Sequence, residues 1–172
     1  TARLEIRMKI RIVPHESQYR EAVEAFNHRL QEGGSRWGFY THHECDWIPR
    51  REGARVWRDF YLAVAENGMV RGGFALKPQP WYIRGSDQTV ADWQGPFSEG
   101  EISPQYAALG LRMVRDMQKK EPLLYSWGHG GRDVPILQLV RKMGWFVHGS
   151  PLMLYINNPF RFLRKNGALR RS

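Results

Sequence analysis

A chain of 172 residues, 42% hydrophobic, 13% aromatic and 25% charged, is long enough for one ordinary domain with its own core and too apolar to be disordered throughout. No apolar run approaches the roughly 18 residues of a transmembrane span. The lone cysteine, Cys45, excludes an internal disulfide framework and points to a reducing, cytoplasmic setting. The opening residues alternate charged with apolar and do not read as a signal peptide, and a first residue that is not methionine reads as a processed or cut chain. The net charge of +9, from 26 basic and 17 acidic residues, suggests nucleic acid, anionic lipid or an acidic carrier as partner. Its distribution narrows that. Residues 159–172 hold Arg161, Arg164, Lys165, Arg170 and Arg171 with no acid, and residues 1–11 hold Arg3, Arg7, Lys9 and Arg11 against Glu5, which leaves +1 for the body between. A near-neutral body argues against a broad nucleic-acid face.

Leu4, Ile6, Met8, Ile10 and Ile12 alternate with Glu5, Arg7, Lys9 and Arg11, so residues 4–13 read as a strand with one buried face, ended by Pro14. Tyr19, Ala22, Val23, Phe26 and Leu30 then recur at helical spacing, giving an amphipathic helix over about 16–31 stopped by Gly33 and Gly34. Residues 35–58, rich in Trp, His, Arg and Gly, read as a loop with room for a short helix. Tyr61–Glu66 and Met69–Leu76 are strand-like runs joined by Asn67-Gly68, the pair favoured in a type I′ hairpin turn. Lys77-Pro78-Gln79-Pro80 is expected to interrupt the second strand, with Trp81–Ile83 resuming it.

A further strand is expected over about 97–103, a helix over about 107–120 closed by Pro122, and a short strand over Leu123–Trp127. After the turn Gly128-His129-Gly130-Gly131, Asp133 reads as an N-cap with Pro135 in the first turn, followed by Ile136, Leu137, Val140 and Met143 on one helical face. Arg141 and Lys142 suit the negative end of that helix, and Gly144 stops it. Trp145–His148 and Leu152–Ile156 read as two strands, or as one interrupted at Pro151. The expected organisation is one α/β (α+β) domain over 1–158 and a basic tail or linker over 159–172.

This order of elements resembles the GNAT superfamily of N-acyltransferases over about residues 4–156: a helical excursion, a central hairpin, then strand–helix–strand–helix–strand. Two stretches carry the likeness. Ile102-Ser103-Pro104-Gln105-Tyr106-Ala107-Ala108-Leu109-Gly110 looks like the strand-to-helix turn that holds the pyrophosphate of coenzyme A, and Lys142-Met143-Gly144-Trp145 resembles the family's closing Lys-x-Gly-Phe. The resemblance implies a mixed sheet flanked by helices, with acetyl-CoA, another acyl-CoA or an acyl-carrier protein as donor and no metal. Backbone N–H groups at a helix N-terminus suit a pyrophosphate. Ile102, Ser103, Gln105, Tyr106, Ala107, Ala108, Leu109 and Gly110 are the implied donor-binding residues. The chain departs from the pattern in three places: Ala107 stands at the basic or Gln position, Arg112 at the last glycine position, and Val140 where many members carry an acid tyrosine. Shorter pieces, among them Val70-Arg71-Gly72-Gly73 and Phe160-Arg161-Phe162-Leu163-Arg164, are similar to a divergent subgroup associated with bacterial surface-polysaccharide clusters.

Acyl transfer to an amine requires a base for the ammonium proton, a donor to the thioester oxygen and alignment of both reactants. On a strand over 97–103, Glu99 and Glu101 share a side and are the candidate bases, with Glu99 favoured beside Ser98 and Gly100. His129, between glycines after the Leu123–Trp127 strand, is the alternative acid or base. The acceptor is expected to be a small-molecule, sugar or peptide amine. His42-His43-Glu44-Cys45-Asp46 lacks the spacing of a metal site and reads as a polar loop. Trp37, Phe39, Tyr40, Trp47 and Trp57 read as core or as an acceptor wall. The tail at 159–172 reads as a surface for an anionic membrane or acidic carrier, or as the lead into a further domain. A non-catalytic binding module and an aminoacyl-tRNA-dependent transferase are the competing functions.

Overall fold

Five strands form one mixed sheet in the order β1 (Ile10–Pro14), β2 (Asp59–Ala65), β3 (Val70–Ile83), β4 (Ser86–Ser98) and β5 (Leu124–Tyr125). Every neighbouring pair is antiparallel except β4 and β5, which run parallel. The computed structural model describes residues 9–128, 134–149, 155 and 157–165. They belong to two compact units, Thr1–Gly128, which holds the whole sheet, and His129–Ser172.

In the first unit, α1 (Arg20–Glu32) follows a 3-10 turn over Ser17–Tyr19, and α2 (Leu109–Lys120) lies between β4 and β5. The helical spacing of Val23, Phe26 and Leu30 buries all three against Phe39, Phe60, Leu62, Val64, Val70 and Ala75. Each such side chain contributes about 1.5–3 kcal/mol. Met113, Val114 and Met117 of α2 are equally buried. The two helices cover opposite faces, because neighbouring strand residues point to opposite sides. A Cβ on Gly73 would meet the Phe39 ring at 2.9 Å, on the side of α1, and one on Gly72 would meet Met113 Cε at 2.9 Å, on the side of α2. Those two glycines serve close packing in the sheet. At the end of α1, Ser35 N–H bonds Leu30 O at 2.9 Å and Gly34 N–H bonds Gln31 O at 3.0 Å, the paired bonds of a Schellman stop.

Several expectations give way here. The loop over 35–58 contains no helix. The Asn67-Gly68 turn is a three-residue loop, in which Gly68 alone has positive φ and Ala65 N–H bonds Met69 O at 2.9 Å. The I′ geometry instead closes the β3–β4 hairpin, where Arg84 and Gly85 have φ of 51° and 84°. Pro78 and Pro80 do not interrupt β3, which runs unbroken for 14 residues. Beyond Leu76, the partner of Asp59, β2 no longer lies alongside, and an edge admits prolines without losing a ladder bond. No strand spans 97–103: β4 ends at Ser98 and two 3-10 turns follow, Glu99–Glu101 and Pro104–Tyr106. The Ser98 hydroxyl accepts the Gly100 N–H at 3.0 Å, which turns the chain out of the sheet. The expected strand over Leu123–Trp127 is reduced to Leu124–Tyr125.

The second unit holds α3 (Pro135–Lys142) and α4 (Pro159–Lys165). Val134 stands at the N-cap of α3, one residue beyond the expected Asp133, which lies outside the described residues along with His129, Gly130 and Gly131. Gly144 stops α3 as expected, with Trp145 N–H on Val140 O at 3.0 Å and Gly144 N–H on Arg141 O at 3.0 Å. Trp145–His148 forms no strand, and Leu152–Ile156 lies outside the described residues apart from Tyr155. Pro159–Lys165, read as tail or linker, is helical because Asn158 caps it through an Oδ1 contact to Arg161 N–H at 2.9 Å.

Candidate active site

The sheet opens between its two parallel strands. The β4–β5 ladder comprises two pairs, Ala91 with Leu124 and Asp92 with Tyr125, and the Ser126 hydroxyl adds a bond of 2.6 Å to Trp93 O. Beyond Trp93, β4 pairs only with β3. There it also bulges: Ala75 faces Gln94 while Gly73 faces Phe97, so Gly95 and Pro96 stand against the single residue Phe74. Ala91 N–H points to β5, bonding Leu123 O at 2.9 Å. Period-two alternation carries that orientation through Trp93 to the Gly95 amide, where β5 has ended. Ser98 then leads through the two 3-10 turns to α2, and a Cβ on Gly110 would lie 3.8 Å from Pro96 Cγ. The first turn of α2 thus sits beside the bulge.

Backbone donors are present at that turn. Arg112 N–H is the first to bond back along α2, to Ala108 O at 3.2 Å, so the preceding N–H groups have no intrahelical acceptor. The Arg112 guanidinium bonds the Ile10 carbonyl of β1. Ile102 packs against Gly33 at the end of α1, and Tyr106 is buried. Ser103, Gln105, Ala107 and Ala108 line the turn between Ile102 and Leu109.

Two buried carboxylates flank the opening. Glu99, 3% exposed, is fully engaged: Oε1 accepts from Arg29 Nε and Oε2 from Arg71 Nη1, both at 2.6 Å. Arg29 also bonds Val70 O at 2.6 Å, and the Arg71 guanidinium lies over the Tyr106 ring, 4.9 Å from its centroid. Arg71 is the extra residue of a bulge between Ala63 and Val64, which aims it at Glu99. Glu101, placed by sequence on the same side as Glu99, is exposed on the 3-10 turn and accepts from the Ser35 hydroxyl at 2.9 Å.

Asp92, also 3% exposed, is engaged on one side only. Its Oδ2 lies 3.2 Å from Lys77 Nζ, its cross-strand partner, and among the described residues nothing bonds Oδ1. Tyr125 stands beside it in register on β5, and Gln79 Nε2 donates to the Tyr125 hydroxyl. Burial, and then the Asp92 charge, push the Tyr125 phenol above its ordinary value, so it stays protonated at neutral pH. Lys77, Gln79, Asp92, Gln94 and Tyr125 share the face of the sheet on which α1 packs. From the loop over 35–58, the Tyr40 hydroxyl reaches Gln94 Oε1 at 3.2 Å. The opposite face carries the fully buried Trp93 and Pro78. Among the described residues, the charged groups at the opening, Lys77 and Asp92, lie on the first face.

Sequence reasoning missed Asp92, Lys77, Gln79 and Tyr125. Reading Arg84-Gly85 as the turn would have found the pair, since that register sets Asp92 directly opposite Lys77. The aromatic loop divides: Phe39 is core, and Tyr40, Trp37 and Trp47 are exposed. Asn27 anchors the loop, donating to Phe39 O at 2.8 Å and accepting from Phe39 N–H at 2.7 Å. Arg58 lies between the Tyr40 and Trp47 rings, 5.6 and 5.0 Å from their centroids. Cys45 is buried in the core, and among the described residues no three His, Cys, Asp or Glu side chains are placed to hold a metal ion. Among the described residues no helix is long and apolar enough to cross a membrane.

No protein-family model matches the chain, and no curated protein does. Solved structures do. An acetyltransferase of Trypanosoma brucei superposes with a TM-score of 0.56 at 17% identity, over 86% of this chain and 100% of its own. An integron cassette protein of V. cholerae gives 0.55 at 11% identity, over 92% and 99%, and a protein described as a probable acetyltransferase gives 0.50 at 15%, over 86% and 99%. At such identities the likeness is one of fold, and that fold, a mixed five-stranded sheet flanked by helices, is the one GNAT acetyltransferases have.

Proposed function

We propose that the protein is an N-acyltransferase of GNAT type that moves an acyl group, acetyl in the simplest case, from acyl-CoA to an amine. One observation carries the reading: β4 and β5 part after two residue pairs, beside a β4 bulge and the free N–H groups of α2. The residues fit the donor. The N–H groups of Leu109, Gly110 and Leu111 would hold the pyrophosphate, with the Arg112 side chain drawn away to β1. The edge of β4 past Trp93 would hold the arm, leaving the Gly95 N–H to polarise the thioester carbonyl.

The acceptor approaches from the polar face. Asp92 Oδ1 takes the ammonium proton, the free amine attacks the carbonyl carbon, the carbon–sulfur bond breaks as the carbon–nitrogen bond forms, and the nitrogen gives up its second proton to water. The thiolate leaves and takes its proton from water or from the Tyr125 hydroxyl, whose hydrogen has no acceptor among the described residues. Glu99 is assigned to positioning, since two guanidinium groups already occupy both its oxygens. Glu101 remains a candidate only for contact with the donor, and His129 for a second acid or base.

The test is calorimetry with CoA and acetyl-CoA, followed by acetyl transfer to a panel of amines. Micromolar binding weakened by about tenfold or more in Gly110→Glu, which sets a carboxylate at the helix N-terminus, is the expected result. Absence of binding to both, in protein shown to be folded, would overturn the reading.

A further inference from the structure

We infer that the face beside Asp92 is a recognition site for a primary ammonium carried on a flat apolar ring, an arylalkylammonium, and that such a ligand is the acceptor. The second half rests on the transferase reading above; the first does not.

The argument begins with incomplete bonding. Asp92 has Lys77 on Oδ2, and its Oδ1, which none of the described residues bonds, is not among the side-chain atoms sealed from water without a partner, so it is left to solvent. A ligand N–H can replace water at that oxygen, and a cationic donor does so best. Next to it stands a row of aromatic rings that burial does not explain. Trp81 is 44% exposed and Trp127 73% exposed, yet both touch Tyr125, with centroids 5.2 and 6.2 Å apart. Gln79 fixes the Tyr125 hydroxyl, so the middle ring of the row is held in place.

The shape of the row selects the ligand. The rings meet at 47° and 71°, so they are not coplanar and offer no flat platform for the face of a sugar. A polyamine would need several acids, and Asp92 is the only one that β3, β4 and β5 present on this face. A single cation with a planar apolar ring answers each feature: the ammonium completes Asp92, and the ring lies among Trp81, Tyr125 and Trp127.

Tryptamine is the probe, titrated into the full chain without donor and followed by calorimetry. Indole-3-acetamide serves as the ring without the cation, and glucosamine and spermidine represent the excluded classes. Saturable tryptamine binding is expected, at least about tenfold tighter than for the other three. Trp81→Ala and Trp127→Ala, both exposed and hence safe for the fold, should each weaken it about three- to tenfold. Tryptamine binding no better than glucosamine or spermidine, or unchanged in both variants, overturns the inference. Acetyl transfer is measured separately. Binding without transfer keeps the site and removes its role as acceptor site, whereas transfer to spermidine or glucosamine without tryptamine binding removes the site and keeps the transferase.

Discussion

The two buried carboxylates, Glu99 and Asp92, are equally hidden from water and differ in how completely they are bonded. Glu99 sits where the chain leaves β4, clasped on both oxygens by Arg29 from α1 and Arg71 from β3. That arrangement ties a helix, a strand bulge and a turn together and sets a guanidinium group on each oxygen. Asp92 lies in mid-strand, at the last residue pair before β4 and β5 separate, with one cation on one oxygen. Burial alone therefore does not mark a catalytic acid. A buried charge with an unfilled bonding position, beside an opening in the backbone ladder, is the more informative sign.

Exchanging each carboxylate for its amide separates the two roles. Asp92→Asn should lower kcat/KM for amine acetylation by about 10²- to 10⁴-fold, the span of a lost general base. Its thermal midpoint should fall less than that of Glu99→Gln, because Lys77 is partly open to water and keeps a solvated alternative. Glu99→Gln should cost about 3 kcal/mol in urea unfolding, since it leaves two guanidinium groups short of their counter-charge. Its turnover per folded molecule should stay within about threefold of the parent. A Glu99→Gln protein that is stable and inactive would reverse the assignment.

The same pair shows how much of the molecule was legible in its sequence. Periodicity located α1 and α3 and the described part of β1, Ile10–Pro14, because apolar spacing directly reports which face is buried; the earlier part of the expected 4–13 strand lies outside the described residues. The glycine stops at Gly34 and Gly144 were equally readable. What failed was the reach of β3 and β4. Proline residues at Pro78 and Pro80 signal a break only where both strand edges are occupied, and edge occupancy is a property of the sheet, not of the local sequence. Taking Asn67-Gly68 as the I′ turn drew attention from Arg84-Gly85, and with it went the register that opposes Lys77 to Asp92. Glu99 was legible as a residue of interest and was misread in role, because its partners Arg29 and Arg71 are 70 and 28 positions away in sequence.

The opening itself can be probed next to these side chains. Gly95 has φ of 110°, and a Cβ there would lie 3.2 Å from Phe97 N and 3.3 Å from Gly73 O. Gly95→Ala should therefore destabilise by about 1–3 kcal/mol through backbone strain. It should also reduce kcat more than it raises KM for the amine, because it moves the N–H proposed to face the carbonyl while Asp92 stays in place. Equal loss in both parameters would place the bulge outside the reacting centre.

The smallest expected effect concerns the third buried polar residue, His15, which sharpens the contrast by showing a buried group whose charge is disfavoured. Its Nδ1 and Nε2 each lie 3.1 Å from a carbonyl oxygen, of Glu16 and Tyr40, and the Tyr40 side chain reaches on to Gln94 at the candidate site. Burial lowers its pKa below 6.5, opposed by those carbonyl contacts, and a positive charge on His43, with ring centroids 6.2 Å apart, acts in the same direction as burial. A lowered folded pKa means that the unfolded chain binds the proton more readily between 6.5 and the folded value. Stability contributed by neutral His15 is thus fully present above pH 6.5 and is lost as pH falls through that window, with no further loss below it. Urea midpoints measured between pH 8 and pH 4.5 should show a shallower decline in His15→Gln than in the parent. A parallel decline in the two proteins would mean that the Glu16 and Tyr40 carbonyls, by holding both ring nitrogens as donors, outweigh burial and keep His15 charged.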